Sequence, residues 1–249
     1  MEADIRVIEV VDSTNIRVAA LADEGAPEGT CVVAFCQQKG QGRSGRTFFS
    51  PEGGNLYMSL LLRPKSEEQT DHITVAAAVA AARAIENKYR ICCGIKWVND
   101  LIYKGKKIGG IVAKAHNYGT DRFYVVLGIG VNIFDSPDVP KDIESVYGSL
   151  TGRKCDLEMD KARSGAVELA GGIIEEFSVS YNDFYGSGCA AKYRDLSVVI
   201  GRDVSYLDNG SEFKAKVLDI DDEGGIVLDM NGNVRTYRDG EIRIRLEDK

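Results

Sequence analysis

The chain has 249 residues, 44% hydrophobic, 28% charged and 8% aromatic, a soluble globular composition that excludes a disordered, collagenous or fibrous protein. Its 38 acidic and 31 basic residues give a net charge of −7, which argues against a general nucleic-acid binder and means that an anionic substrate must be held by a local positive cluster. The longest wholly apolar run, Val75 to Ala82, is far short of the ~20 residues of a bilayer span, and the acidic start lacks a signal peptide's basic-then-apolar order, so no membrane partner and a cytoplasmic location are expected.

Alternation over Ile5 to Val11 predicts a strand, after which Asp12-Ser13-Thr14-Asn15 offers side-chain oxygens to cap a helix that runs to about Ala22 and stops at Gly25. Thr30 to Gln37 reads as a second strand. Past a glycine-rich stretch, Leu56 to Leu62 reads as a third, followed by one alanine-rich helix from about Glu68 to Tyr89. Short strands follow near Ile95 to Trp97, Leu101 to Tyr103, Lys107 to Ala113 and Arg122 to Val131, with Lys104-Gly105-Lys106 as a hairpin turn. Asp160 to Tyr185 has helical spacing, although Gly165, Gly171 and Gly172 each cost about 1 kcal/mol relative to Ala in a helix interior and leave its ends open.

From about Leu196 the chain reads as five or six short strands broken by Gly201, Asn209-Gly210, Gly224-Gly225, Asn231-Gly232 and Asp239-Gly240, the spacing of a small barrel or sandwich. The expected fold class is therefore α+β. A mixed or antiparallel sheet with helices packed on one side spans residues 1–195, and a small β domain spans 196–249. The six cysteines, Cys31, Cys36, Cys92, Cys93, Cys155 and Cys189, form no C-x-x-C pair, and with His72 and His116 alone no zinc-ligand spacing arises, so they read as reduced thiols and no metal-ligating residue is expected.

Three segments have the residue types for chemistry. Lys39-Gly40-Gln41-Gly42-Arg43-Ser44-Gly45-Arg46 combines three glycines with three cations and has no carboxylate between Gln37 and Ser50. Its backbone N–H groups and guanidinium forks suit an anion-binding loop, and a solvated basic turn fits equally. Gly40, Gly42 and Gly45 match G-x-G-x-x-G, but the chain leads through Ser50-Pro51 and Gly53-Gly54 into a strand rather than a helix, so the dinucleotide reading fails. The absence of His-Arg-Asp and Asp-Phe-Gly triplets removes the kinase reading.

The second segment is Lys96-Trp97-Val98-Asn99-Asp100 with Lys104 to Ile111 after it. Strand alternation would put Lys96, Val98 and Asp100 on one face and Trp97 and Asn99 on the other, as either a site or a surface ion pair beside a tryptophan. Lys107 leads directly into an apolar strand and two glycines, as a site wall would. The third is Leu127-Gly128-Ile129-Gly130-Val131-Asn132, an apolar strand that ends either in a base-reading amide or in an ordinary turn residue.

In this order, Asp12 to Asn15, Gln37 with the Gly40–Arg46 loop, Lys96 to Asp100, Lys107 to Ile111 and Gly128 to Asn132 resemble biotin protein ligase across most of Ile5 to Asn132. The tail from Leu196 resembles the small SH3-like domain that ends this family. The resemblance implies a catalytic core like that of class II synthetases, with an SH2-like arrangement, followed by an SH3-like β-barrel. It implies that biotin and MgATP form biotinyl-5'-AMP with release of pyrophosphate, and that the biotinyl group then passes to a lysine of a biotin carboxyl carrier protein or domain. A homodimer is also implied.

By the same resemblance Ser13, Thr14 and Gln37 match partners of the biotin ureido ring, while Gly40, Gln41, Arg43, Lys107 and Gly110 complete the biotin site. Arg43, Arg46, Phe48, Lys107 and Asn132 match the nucleotide site, with Phe48 on the adenine ring and Asn132 on its edge. Lys107, Arg43 and Asp100 match the catalytic groups, Lys107 bridging the biotin carboxylate and α-phosphate and Asp100 orienting the acceptor lysine. Three positions depart from the family's pattern: Gln41 replaces an arginine, Lys39 adds a cation, and Val98 stands where proline is usual. The loop Gly40 to Arg46 is expected to be disordered when empty and to order over the adenylate. Larger members carry an N-terminal DNA-binding domain, whereas the first catalytic strand begins here near Ile5, so neither a transcriptional role nor a nucleic-acid partner is expected.

Three rivals differ from this reading. A lipoate-type ligase shares the adenylation logic but takes a less polar ring than Ser13, Thr14 and Gln37 suit. A non-catalytic biotin or nucleotide sensor would be favoured had Arg43 or Lys107 been lost. A single-strand nucleic-acid module conflicts with the net charge and with a tail that lacks an aromatic–basic stripe.

Overall fold

Strand β1 (Asp4–Val11) leads through helix α1 (Thr14–Asp23) into β2 (Thr30–Gln37), and the intervening helix lets the two strands run parallel, with Asp4 opposite Thr30 and Val11 opposite Gln37. This is a computed structural model, and it describes residues 1–208, 211–238 and 242–246; the strand breaks read at Asn209-Gly210 and Asp239-Gly240 lie outside the described residues.

The other pairings in this sheet are antiparallel. They join β3 (Leu56–Leu62), β4 (Gly94–Lys96), β5 (Asp100–Tyr103), β6 (Lys106–His116) and β7 (Tyr124–Val131) to β1 and β2 in the order β1-β2-β3-β7-β6-β5-β4. Lys104 and Gly105 turn β5 into β6 with φ of 49° and 75°, as a tight hairpin needs.

Strands β2, β3 and β7 are buried along almost their whole length, so both sheet faces need covering. Val32, Leu61, Tyr124 and Val126 pack on Val18, Leu21 and Ala22 of α1. Cys31, Val33, Met58, Leu60, Leu127 and Ile129 belong instead to the main core under α3 (Ile73–Tyr89) and α5 (Met159–Asn182). Helices therefore cover both faces, not the single side expected, because one-sided cover would leave every second apolar residue of these strands in water.

The alanine-rich helix expected from Glu68 is two. A short α2 (Glu67–Asp71), N-capped by Ser66, ends at His72, whose buried ring stacks on Phe184 at 3.9 Å, and α3 starts after it. Over Ile73 to Ala82 helix α3 is buried on every side because it lies between the sheet and α5. Helix α5 runs unbroken through its three glycines because Ala166, Leu169, Ala170, Ile173 and Phe177 make one buried stripe that outweighs local propensity.

Between β7 and α5 lies the single turn α4 (Lys141–Glu144). After α5 comes α6 (Cys189–Leu196), unmarked in the sequence and held by buried Cys189, Ala190 and Tyr193. Ser197 and Val198 then pair with Ile95 of β4 before a second sheet begins, so the change of character read at Leu196 falls at a helix end. The second sheet comprises β8 (Asp203–Asp208), β9 (Ser211–Ile220), β10 (Ile226–Met230), β11 (Asn233–Tyr237) and β12 (Arg243–Leu246), antiparallel in the order β11-β10-β9-β8-β12. It is tied to the first where Trp97 Nε1 donates to Gly224 O at 3.0 Å and Arg194 Nη1 donates to Ile220 O at 3.0 Å. All six cysteines are free thiols. Among the described residues no helix is long and apolar enough to cross a membrane.

Candidate active site

A cavity of about 1360 Å³ opens over the first sheet. Its floor is Gly110 of β6 with Ile129 and Gly130 of β7; one wall is the basic loop Gln41 to Phe49, and the other is the β4–β5 hairpin with Lys107. Arg202, which precedes β8, and Ile244 and Arg245 of β12 also line it. The lining cations, Arg43, Arg46, Lys96, Lys107, Arg202 and Arg245, outnumber the lining carboxylates, Asp100 and Asp142, which reverses locally the −7 of the chain.

Thr14, Gln37, Gln41, Arg43, Arg46, Phe48, Asp100, Lys107, Gly110 and Asn132 all line this cavity, so the structure gathers most of the predicted site residues. Ser13 and Gly40 do not line it. Ser13 is the N-cap of α1 but makes no capping bond; Gln37 Oε1 takes the Thr14 N–H at 2.9 Å, and the Ser13 hydroxyl is wholly buried and without a partner among the described residues. Gly40 closes the loop's base, where a Cβ would collide with Phe48 O and sit 2.6 Å from Ser50 Oγ.

The polar end of the cavity is a linked set. Gln37 Oε1 accepts from Thr14 Oγ1 at 3.1 Å as well, and Gln37 Nε2 donates to Ser50 Oγ at 2.9 Å, which in turn donates to Phe48 O at 2.9 Å. Ser59 Oγ lies 2.7 Å from Thr14 Oγ1 and 2.6 Å from Asn15 Oδ1. A ligand head with its own donors and acceptors would be matched here, and an apolar one would bury polar atoms without return.

At the centre, Lys107 Nζ pairs with Asp100 Oδ1 at 2.6 Å and stands 6.0 Å from the Phe48 ring centroid. The alternation expected for Lys96 to Asp100 does not hold. Trp97, Val98 and Asn99 form a turn, so both Trp97 and Val98 are buried and Lys96 faces Asp100 across a β4–β5 pair. The Trp97–Val98 peptide is cis. Arg43, in a 3₁₀ turn over Arg43–Gly45, donates from Nη1 to Asn99 Oδ1 at 3.2 Å.

Phe48 lies directly over Gly130, whose missing side chain makes room, since a Cβ there would fall 2.5 and 2.6 Å from the ring. Asn132 Nδ2 donates to Gly148 O at 3.0 Å, and its Oδ1 is a buried acceptor without a partner among the described residues. An exocyclic amine would satisfy it. Burial, with the Asp135 charge, pushes the Tyr147 phenol in the same wall up to about 12, so it stays neutral beside any anion. Among the described residues no group of three or more His, Cys, Asp or Glu is placed to hold a metal ion.

Sequence reading missed Asn99, Asn15, Ser50, Ser59 and Tyr147. Asn99 and Asn15 sit inside segments already singled out, whereas Ser50, Ser59 and Tyr147 are single polar residues with no spacing to mark them.

Comparison with known proteins adds a family. The model of the biotin/lipoate A/B protein ligase family matches residues 7–132. The bifunctional ligase/repressor BirA of Bacillus subtilis (strain 168) is 33% identical over 244 residues, covering 95% of this chain and 72% of that protein. A biotin--[acetyl-CoA-carboxylase] ligase of Mycobacterium tuberculosis is 26% identical over 245 residues, covering 95% of this chain and 87% of that protein. The structure of a biotin protein ligase from Aquifex aeolicus in complex with biotin and ATP superposes with a TM-score of 0.80 at 24% identity, over 98% of this chain and 99% of that one, and so shares the fold.

Proposed function

This chain belongs to the biotin/lipoate A/B protein ligase family, and from that membership we propose that it is an ATP-dependent biotin--[biotin carboxyl-carrier protein] ligase. The observation that carries the reading is the convergence of Arg43 and Lys107, from stretches far apart in an acidic chain, on one cavity that also holds the unpartnered Asn132 acceptor.

In the first step a biotin carboxylate oxygen attacks the α-phosphorus of ATP, an O–P bond forms and pyrophosphate leaves. Both reactants are anions. Lys107 bridges carboxylate and α-phosphate, Arg43 grips them from the loop, and the cationic cavity offsets the charge that develops on the leaving group. Mg²⁺ enters with the nucleotide as MgATP. Phe48 packs on adenine, Arg46 adds a cation at the nucleotide, and Asn132 Oδ1 accepts from the adenine amine.

In the second step a carrier lysine amine attacks the acyl carbon and AMP leaves. Asp100, a carboxylate lining the cavity, orients that lysine and takes up its proton. The polar head of biotin lies against Thr14 and Gln37, with Gln41 and Gly110 around it and Ser13 and Gly40 behind the cavity wall. Residues 1–195 are assigned as the catalytic domain and 196–249 as the small SH3-like one. A homodimer in the cytoplasm, acting without nucleic acid, completes the proposal.

The family also includes lipoate ligases, and the polar set around Gln37 decides against them. A ureido ring can exchange hydrogen bonds with these hydroxyls and the amide, whereas a dithiolane ring offers them neither donor nor acceptor. Incubating the pure protein with biotin, MgATP and a biotin-carrier domain should add one biotinyl group to the carrier by mass, and lipoate in place of biotin should add nothing. An unmodified carrier with biotin rejects the proposal.

A further inference from the structure

We propose that Asn99 is a positioning residue for adenylation, holding Arg43 in register with Lys107; this rests on the reading that those two cations grip the carboxylate and the α-phosphate. Asn99 is tied at three points. Its backbone carbonyl accepts from Ile111 N at 2.9 Å, its Nδ2 donates to Ile111 O at 2.7 Å, and its Oδ1 accepts from Arg43 Nη1 at 3.2 Å. Because the donor end of the amide is committed to Ile111, the acceptor end is left to face the loop.

Ile111 lies on β6, the strand that carries Lys107, and the next residue after Asn99 is Asp100, which pairs with Lys107 at 2.6 Å. One turn thus holds both cations, Arg43 through an amide and Lys107 through a carboxylate. The turn is itself fixed from behind, where Tyr193 OH donates to Val98 O at 3.0 Å and Trp97 Nε1 donates to Gly224 O at 3.0 Å.

An arginine has many rotamers, and its planar fork reads a carboxylate or phosphate in few of them. Holding the fork once the loop has closed over the substrates removes that search from the chemical step and keeps the two cations at a constant spacing. The site demands an amide in particular. Aspartate would turn a carboxylate oxygen toward Ile111 O and lose the donor, and leucine would supply neither end.

The test measures pyrophosphate release from biotin and MgATP by the full chain, with KM for each substrate, in wild type, Asn99→Leu, Asn99→Asp, Arg43→Ala and the Asn99→Leu/Arg43→Ala double variant. Asn99→Leu is expected to lower kcat by about 10- to 100-fold while KM for biotin stays nearly constant, the signature of misplacement rather than lost binding. In the Arg43→Ala background the same substitution should add nothing, because its effect runs through Arg43. Should Asn99→Leu not fold, Asn99→Ala, which removes the same two side-chain bonds, takes its place; Asn99→Asp keeps an oxygen for Arg43 and should lose less.

Full activity in both folded single variants, or losses that simply add in the double variant, overturns the inference and leaves the ligase reading standing. Wild-type protein that releases no pyrophosphate overturns the ligase reading, and the inference with it. Full activity in Arg43→Ala removes the role of Arg43 on which the inference depends.

Discussion

Lys107 and Arg43 meet in one cavity on two kinds of backbone. Lys107 lies in β6 with its neighbours paired to β5 on one side, while on the other side its own N–H donates to Val146 O at 2.7 Å and its carbonyl accepts from Gly148 N at 2.9 Å. Arg43 lies in a loop closed by a few bonds, Gly42 N to Arg46 O at 2.7 Å, Arg46 N to Arg43 O at 3.2 Å and Phe48 N to Gly40 O at 2.9 Å. One wall is sheet and the other is a tethered turn. The comparison teaches a division of labour in which the sheet sets where the reacting groups meet and the loop adapts around them.

The largest expected effect falls on the sheet wall. Lys107→Ala should reduce pyrophosphate release by roughly 10³-fold while the protein stays folded, because the lost cation faces developing charge and its side chain is only partly buried, at 35% exposure. The conservative exchanges then break or sharpen the contrast. Lys107→Arg, on a backbone held from both sides, should lose about 100-fold, whereas Arg43→Lys, on a loop that can move to compensate, should lose about 10-fold. Equal losses in steady-state assays would erase the distinction between the walls.

Gly130→Ala tests where loop and sheet touch. Its Cβ would fall 2.5 Å from the Phe48 ring, and since Phe48 belongs to the adaptable wall the ring is what must move. KM for ATP should rise about tenfold, with KM for biotin nearly unchanged and the thermal midpoint lowered by only a few degrees. A collapse in stability would mean that the loop is as rigid as the strand beneath it.

How much of this was legible depends on whether neighbours in sequence or neighbours in space set the structure. Thr30 to Gln37 and Leu56 to Leu62 coincide with β2 and β3 because their apolar pattern is continuous and bounded by glycine and proline. The turn at Trp97 to Asn99 was not legible, since the alternation of Lys96 to Asp100 is that of a strand and only the bonds from Tyr193 and to Gly224 make it a turn. Helix α6 and the break at His72 were hidden for the same reason; α6 is held by its buried Cys189, Ala190 and Tyr193, and the ring of His72 stacks on Phe184 from a distant segment. The site divides along the same line. Arg43, Lys107 and Asn132 stand in segments with a recognisable order, but Ser50 and Asn99 act through hydrogen bonds to residues distant in sequence that no spacing announces.

A smaller effect concerns the loop alone. Trypsin cleavage after Arg43 and Arg46 should slow several-fold when biotin and MgATP are added, because ordering the loop over the adenylate removes the open conformation that the protease needs. Cleavage elsewhere in the chain should not change. Equal rates at these two sites with and without ligands would place the loop with the rigid wall.

The smallest effect reaches the sheet wall from behind. The turn at Asp221 to Gly225 supplies the carbonyl that holds Trp97, and Asp221 organises it, accepting from Gly225 N at 2.8 Å, Glu223 N at 3.0 Å and Arg238 Nη1 at 2.6 Å. Burial alone would raise the Asp221 carboxyl, but the Arg238 bond and the backbone N–H groups outweigh it and hold the group below the usual carboxylate range. The unfolded chain therefore takes up the proton first. The stabilisation is complete above the unfolded carboxylate value of about 3.9 and is lost as pH falls through the lower folded value. The effect is modest because Asp221 and Arg238 side chains are 30% and 43% exposed and solvent screens them. Trp97 is the chain's one tryptophan, so its fluorescence reads this turn directly. Below about pH 4 the thermal midpoint of the wild type should fall more steeply than that of Asp221→Asn, and the Trp97 signal should change first, while trypsin protection of the loop at neutral pH is the same in both. Identical pH profiles would mean that the turn behind Trp97 stands without this carboxylate.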